Sequence, residues 1–133
     1  MNPTPPKTIL LVDDDIDFLA QTRQYLESAG YRVITAEGQA QAETILADHS
    51  PDLAIVDLMM EHMDGGFALA YHIKKMDARI PVIIATGVTS ETGLEFDAAT
   101  DEERSWVKAD AFLAKPLRGE QLLREVERLL GAL

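Results

Sequence analysis

Two periodicities alternate along this chain. Short runs that are apolar at nearly every position, such as Thr8–Val12 and Val82–Thr86, are separated by stretches where apolar residues recur every three or four positions. A run with no polar face suits a strand covered on both sides, and the longer period suits a helix with one buried stripe. Strands are therefore predicted at Thr8–Val12, Arg32–Ala36, Leu53–Asp57, Val82–Thr86 and Ala111–Ala114, with a helix after each. Such alternation builds β-α-β units, an α/β fold with a parallel sheet.

The first helix is predicted over Ile16–Ala29, with Phe18, Leu19, Tyr25 and Leu26 as its inward stripe and Gly30 as the residue that ends it. The second, Gln39–Ala47, buries Ala42, Ile45 and Leu46 and has the weakest pattern of the five. Pro51 and Pro81 reset the chain before the third and fourth strands, and between them Gly66–Met76 presents Phe67, Leu69, Ala70 and Ile73. The last helix, Gly119–Leu130, places Leu122, Leu123, Val126, Leu129 and Leu130 at i, i+1, i+4, i+7 and i+8 before Gly131. Between the fourth and fifth strands, Thr100 and Glu103 form a capping box for a short fourth helix at Asp101–Lys108. Residues 88–99 are then an extended acidic loop. Glu91, Glu95, Asp97, Asp101, Glu102 and Glu103 fall here with no base among them. The acids that open the helix complement its dipole, whereas those of the loop need another reason.

Four of the apolar runs stop on a residue able to handle a phosphate or a metal. Ile9–Val12 stops at Asp13 and Asp14, Leu53–Val56 at Asp57, Val82–Ala85 at Thr86, and Phe112–Ala114 at Lys115. In an open parallel sheet the carboxyl ends of the strands share one edge, and ligands bind there. Phosphoryl transfer to a carboxylate needs an exposed nucleophile and positive charge near the phosphoryl oxygens. Mg²⁺ takes oxygen ligands, keeps several waters and is commonly held by one or two carboxylates plus a phosphate, so Asp13 or Asp14 with Asp57 provides a partial shell. Crowded acids repel one another, and at least one pKa among them is expected to be raised. Asp15 is expected to cap the first helix.

Charge and composition narrow the partners. A chain of 133 residues with 47% hydrophobic content makes one domain with a proper core, and 12 basic against 23 acidic residues argue against a grip on nucleic acid. No cysteine is present, so disulfides and thiolate metal sites are excluded. No apolar stretch is long enough for a membrane span, and Met1–Lys7, the N-terminal tail, does not fit a signal peptide; a cytoplasmic location is the expectation.

With these residues in place, Thr8–Leu130 resembles the receiver domain of two-component response regulators. Ile9-Leu-Leu-Val-Asp-Asp-Asp15 resembles the family's acid-pair strand end, Ile55-Val-Asp-Leu-Met-Met60 its phosphoacceptor strand, and Ala114-Lys-Pro116 its Lys-Pro signature. Order and spacing carry the match: Asp57 follows Asp14 by 43 residues, Met63-Asp64-Gly65 follows Asp57 at the family's offset, and Thr86 closes the fourth strand. The resemblance implies a doubly wound, flavodoxin-like five-stranded sheet in the order 2-1-3-4-5, occupying residues 8–133. It implies that Asp57 accepts the phosphoryl group. Asp14 would bind Mg²⁺ (or Mn²⁺) directly, Asp13 mostly through water, and Met59 through its backbone carbonyl. Lys115, preceding a cis Pro116, would pair with phosphoryl oxygens, and Thr86 and Phe112 would form the switch.

The implied partners are a sensor histidine kinase or phosphotransfer protein and an unknown downstream protein. They would be reached by a change in the face made by the fourth helix, fifth strand and fifth helix, through which a homodimer is also open. The implied role is regulatory rather than enzymatic, with self-dephosphorylation, and the end of the pattern at Leu130 suggests a stand-alone receiver. Two alternatives stand beside it. A Mg²⁺-dependent aspartyl-phosphate phosphohydrolase needs a second acid two residues after the nucleophile, which Asp57-Leu-Met lacks. A non-phosphorylated binding module is disfavoured by intact Asp14, Asp57, Thr86 and Lys115. Departures from the family are Glu61, where proline is usual, and the long acidic insertion, expected to be mobile or partner-ordered and away from the metal site. Glu61 and His62 are expected in solvent, Trp106 is expected to dock the fourth helix, and His49 and His72 receive no role.

Overall fold

A computed structural model describes residues 6–57, 65–86, 109–115 and 117–131. Five strands, β1 (Thr8–Val12), β2 (Arg32–Ala36), β3 (Leu53–Asp57), β4 (Val82–Thr86) and β5 (Ala111–Ala114), form one parallel sheet in the order β2-β1-β3-β4-β5. The described helices are α1 (Ile16–Ser28), α2 (Gln39–Asp48), α3 (Gly65–Met76) and α4 (Gly119–Leu130), the last being the helix predicted as fifth. The helix predicted at Asp101–Lys108, with Trp106, and the loop 88–99 lie outside the described residues.

The sheet separates two cores by the twofold alternation of strand side chains. Leu10, Val12, Ala54, Val56, Val82 and Ile84 pack with Ala42, Leu46, Leu69, Ala70 and Ile73 of α2 and α3. Ile9, Leu11, Leu53, Ile55, Ile83 and Leu113 pack on the other face with Leu19 and Leu26 of α1 and Leu122 and Val126 of α4. Each fully buried leucine or isoleucine contributes roughly 1.5–3 kcal/mol by leaving water, so both faces are strongly committed. That commitment is why the strands read as unbroken apolar runs.

Local signals set the ends of α1. Asp15 Oδ1 accepts from the backbone N–H of Asp17 and Phe18, at 3.0 and 3.2 Å, which satisfies first-turn donors. At the other end Tyr31 N–H donates to the Leu26 carbonyl and Gly30 N–H to that of Glu27. This is a Schellman closure; Gly30 takes φ 99°, where a side chain is disfavoured. The inward stripe differs from expectation at Tyr25, which is 39% exposed, while Leu19, Thr22 and Leu26 are buried. Tyr25 sits one position off the buried line and its ring turns toward Gly119 at the start of α4, where an added Cβ would collide with the ring.

At the amino-terminal edge of the sheet two aspartates lock neighbouring strands. Asp52 Oδ2 accepts from Thr8 N–H at 2.7 Å, and Asp52 N–H donates to the Thr8 carbonyl at 2.8 Å. Asp110 repeats the pattern with Val82, both bonds at 2.8 Å, and its Oδ2 also lies 2.7 Å from Lys74 Nζ. Among the described residues, no helix is long and apolar enough to cross a membrane.

Candidate functional site

Adjacent parallel strands bring the carboxyl ends together. Val12 lies beside Val56 in register and Asp57 beside Ala85, so Asp13 and Asp14, just past β1, stand next to Asp57, the last residue of β3. Lys115 follows β5 and has a long enough side chain to reach across. It does so: Lys115 Nζ donates to Asp13 Oδ2 at 2.6 Å and lies 3.3 Å from Asp57 Oδ1. Asp13 has no exposed surface, and its second oxygen accepts from Asp15 N–H at 2.9 Å. Both of its oxygens are therefore committed. Asp57 is 5% exposed and Asp14 is open to solvent.

Burial is the main influence on Asp57. Loss of solvation, followed by the charge of Asp13, raises its pKa to about 6; Lys115 holds that rise back by its charge and hydrogen bond, and Asp14 adds to it. The rise was expected from acid crowding, but desolvation is the larger cause. For Lys115, burial pulls the pKa down, yet the hydrogen bond it donates to Asp13 and the charges of Asp57 and Asp13 outweigh it, so the net movement is upward. The ammonium stays charged at neutral pH.

Among the described residues one lysine stands against three carboxylates, which leaves them short of positive charge. One oxygen from each of Asp13, Asp14 and Asp57 lies within 4.8 Å of the others. An octahedral Mg²⁺ with bonds of about 2.1 Å holds its oxygens about 3 to 4 Å apart, so modest side-chain rotation would meet its needs. The oxygen-only donor set suits a hard cation, and the residues present fit it.

The other predicted residues fall into two groups. Thr86 closes β4 opposite Ala114, and Phe112, half-buried against the α2–α3 core, pairs in register with Ile84. Met59, Glu61, His62 and Pro116 lie outside the described residues. One neighbour escaped the sequence reading: the Phe18 ring, whose centre is 4.5 Å from Lys115 Nζ. Its only signal was position, three residues after the cap at Asp15 and thus in the turn that leaves the edge.

The sequence matches the family model of the response regulator receiver domain over residues 9–127. It is 35% identical over 122 residues to the heme response regulator HssR of Staphylococcus haemolyticus, covering 91% of this chain and 50% of HssR. It is 31% identical over 124 residues to the chemotaxis protein CheY of Bacillus subtilis, covering 92% of this chain and 97% of CheY. Among solved structures, the response regulator TrrA of Thermotoga maritima, in complex with Mg²⁺–BeF, matches with a TM-score of 0.76 at 27% identity, covering 93% of this chain and 99% of TrrA. The chain thus spans half the length of HssR and almost all of CheY and TrrA.

Proposed function

The chain belongs to the response regulator receiver domain family, and on that footing we propose that Asp57 accepts a phosphoryl group in a two-component phosphorelay. One observation carries the reading: the Lys115 ammonium reaches both buried Asp13 and Asp57, with exposed Asp14 beside them. The donor is a phosphohistidine of a sensor kinase or phosphotransfer protein, or a small acyl phosphate such as acetyl phosphate. A carboxylate oxygen of Asp57 attacks phosphorus. The P–N bond of phosphohistidine, or the P–O bond of the acyl donor, breaks, and its electron pair leaves with the imidazole or the carboxylate. Later attack by water breaks the bond to Asp57, restores the carboxylate and releases inorganic phosphate.

Such a transfer depends on placement and charge more than on covalent help from the protein. With a pKa of about 6, Asp57 is largely ionised at neutral pH and able to attack. Lys115 exchanges its contact with Asp57 for phosphoryl oxygens, a charge-assisted pairing. Asp13, already committed to Lys115 and Asp15 N–H, would act on a cation through water, while solvent-facing Asp14 would hold it directly. Mg²⁺ or Mn²⁺ held by Asp14, Asp57 and the Met59 carbonyl would supply the positive charge that a single lysine cannot.

Signalling follows from unequal contacts in two arrangements. The Thr86 hydroxyl turns to the phosphoryl oxygens and Phe112 moves into the space left behind. This changes the surface that β5 and α4 contribute to, which an unknown partner or a second copy then reads. Mass spectrometry after incubation with acetyl phosphate and Mg²⁺ tests the reading: one labile phosphate is expected on the wild type and none on Asp57→Asn. Phosphate retained by the variant, or absent from both, overturns it.

A further inference from the structure

Lys115 Nζ meets Asp13, Asp57 and the Phe18 ring, and the first two are acidic. Its Nζ donates to Asp13 Oδ2; Asp13 Oδ1 accepts from Asp15 N–H; Asp15 Oδ1 accepts from Phe18 N–H; and the Phe18 ring returns to Nζ at 4.5 Å. The contacts close a circle through the β1–α1 turn. We propose that Phe18 is a positioning residue for the phosphoryl transfer, its ring face holding the Lys115 ammonium over Asp57 while the ammonium changes partners.

The physical argument concerns what a ring offers that an oxygen does not. Lys115 must give up Asp57 Oδ1 and take phosphoryl oxygens, so a fixed acceptor on its remaining side would compete with the phosphate. The negative face of an aromatic ring attracts the cation without accepting a directed hydrogen bond, and it keeps water off that side. The Lys115 side chain is mostly buried, at 22% exposure, which strengthens the contact over one in open water. Phe18 also packs partly on the core with Leu19 and Leu26, so its ring is seated and its backbone is fixed by the Asp15 cap. A leucine would fill that seat and leave the ammonium with carboxylates alone.

The inference rests on the phosphoacceptor reading, and two measurements separate their fates. In NMR spectra of the unphosphorylated protein, the Lys115 ε-methylene protons should be shifted upfield by the ring and return toward ordinary values in Phe18→Leu. An unshifted wild-type signal overturns the proposal whatever happens to phosphate. With acetyl phosphate and Mg²⁺, phosphorylation should slow roughly three- to tenfold in Phe18→Leu and be kept in Phe18→Tyr. It should also fall stepwise when position 18 carries phenylalanine with one, two and three ring fluorines, which weaken the ring's negative face while preserving its shape. Equal rates along that series overturn the proposal and leave the receiver reading standing. A wild type that takes no phosphate overturns the receiver reading and this proposal with it.

Discussion

The two edges of one sheet treat aspartate in opposite ways. At the amino-terminal edge Asp52 and Asp110 each accept a backbone N–H of the neighbouring strand, and Asp110 also has Lys74. At the carboxyl-terminal edge Asp13, Asp14 and Asp57 crowd together, with Lys115 against Asp13 and Asp57, and Asp57 is pushed to a pKa of about 6. One edge uses carboxylates to close the structure, whereas the other keeps them short of compensation and so ready for a cation or a phosphoryl group. The lesson is that the same residue type, at the same structural level, is stabilising or reactive according to whether burial and like charge beside it are compensated.

The strongest way to break this contrast is to remove Lys115, among the described residues the cation at the reactive edge. Lys115→Met leaves Asp13 buried without its counter-charge, and a loss of about 3 kcal/mol is expected in urea unfolding at pH 7 without metal. Adding Asp13→Asn should recover most of it. A variant as stable as the wild type would mean that the edge is less strained than its geometry indicates.

Acidity sharpens the contrast next. The folded Asp57 keeps its proton to about pH 6, against an ordinary value of 3.8, so the folded state binds more protons between those values. Stability therefore falls as pH rises through that window and stays lower above it. The full difference is on the order of 2–3 kcal/mol. In chelator, Asp57→Asn should be more stable than the wild type by that amount at pH 7.5, with the gap closing below about pH 4. Mg²⁺ should narrow it from the wild-type side. Parallel pH curves for the two proteins would remove the burial account of Asp57.

The smallest effect belongs to the satisfied edge. Asp110→Ala removes the acceptor of Val82 N–H and the partner of Lys74, and about 1–2 kcal/mol should be lost, with little dependence on metal. Thermal melts with and without Mg²⁺ check this. A strong metal dependence would show that the two edges are coupled rather than separate.

Much of the fold was legible because the sheet is covered on both faces. All five strands are found at their predicted bounds, since an unbroken apolar run such as Leu53–Val56 has no reading on a half-wet surface. The Asp15 cap and the turn at Gly30 were legible for a related reason: both are satisfied within a few residues of chain. Contacts between distant segments were harder to see. Tyr25 shares the helical spacing of Leu26, but whether its ring meets the core or Gly119 depends on where α4 lies. Phe18 against Lys115 and Asp110 against Val82 likewise join residues that no local period connects. The cluster of Asp13, Asp14 and Asp57 was foreseen from strand ends, yet the burial that dominates Asp57 is a property of the assembled edge.

Asp110 has a mechanical consequence. It anchors β5 to β4 at the base, while among the described residues no strand flanks the outer side of β5, the end of the sheet order. A four-residue strand is about 13 Å long, so β5 is a short edge strand, paired with β4 along one side from Ala111 to Ala114 and carrying Lys115 just past its end. A pull on that end loads the Thr86–Ala114 pair first and the Ile84–Phe112 pair after it. Amide exchange that slows from that end to the base would display that order directly.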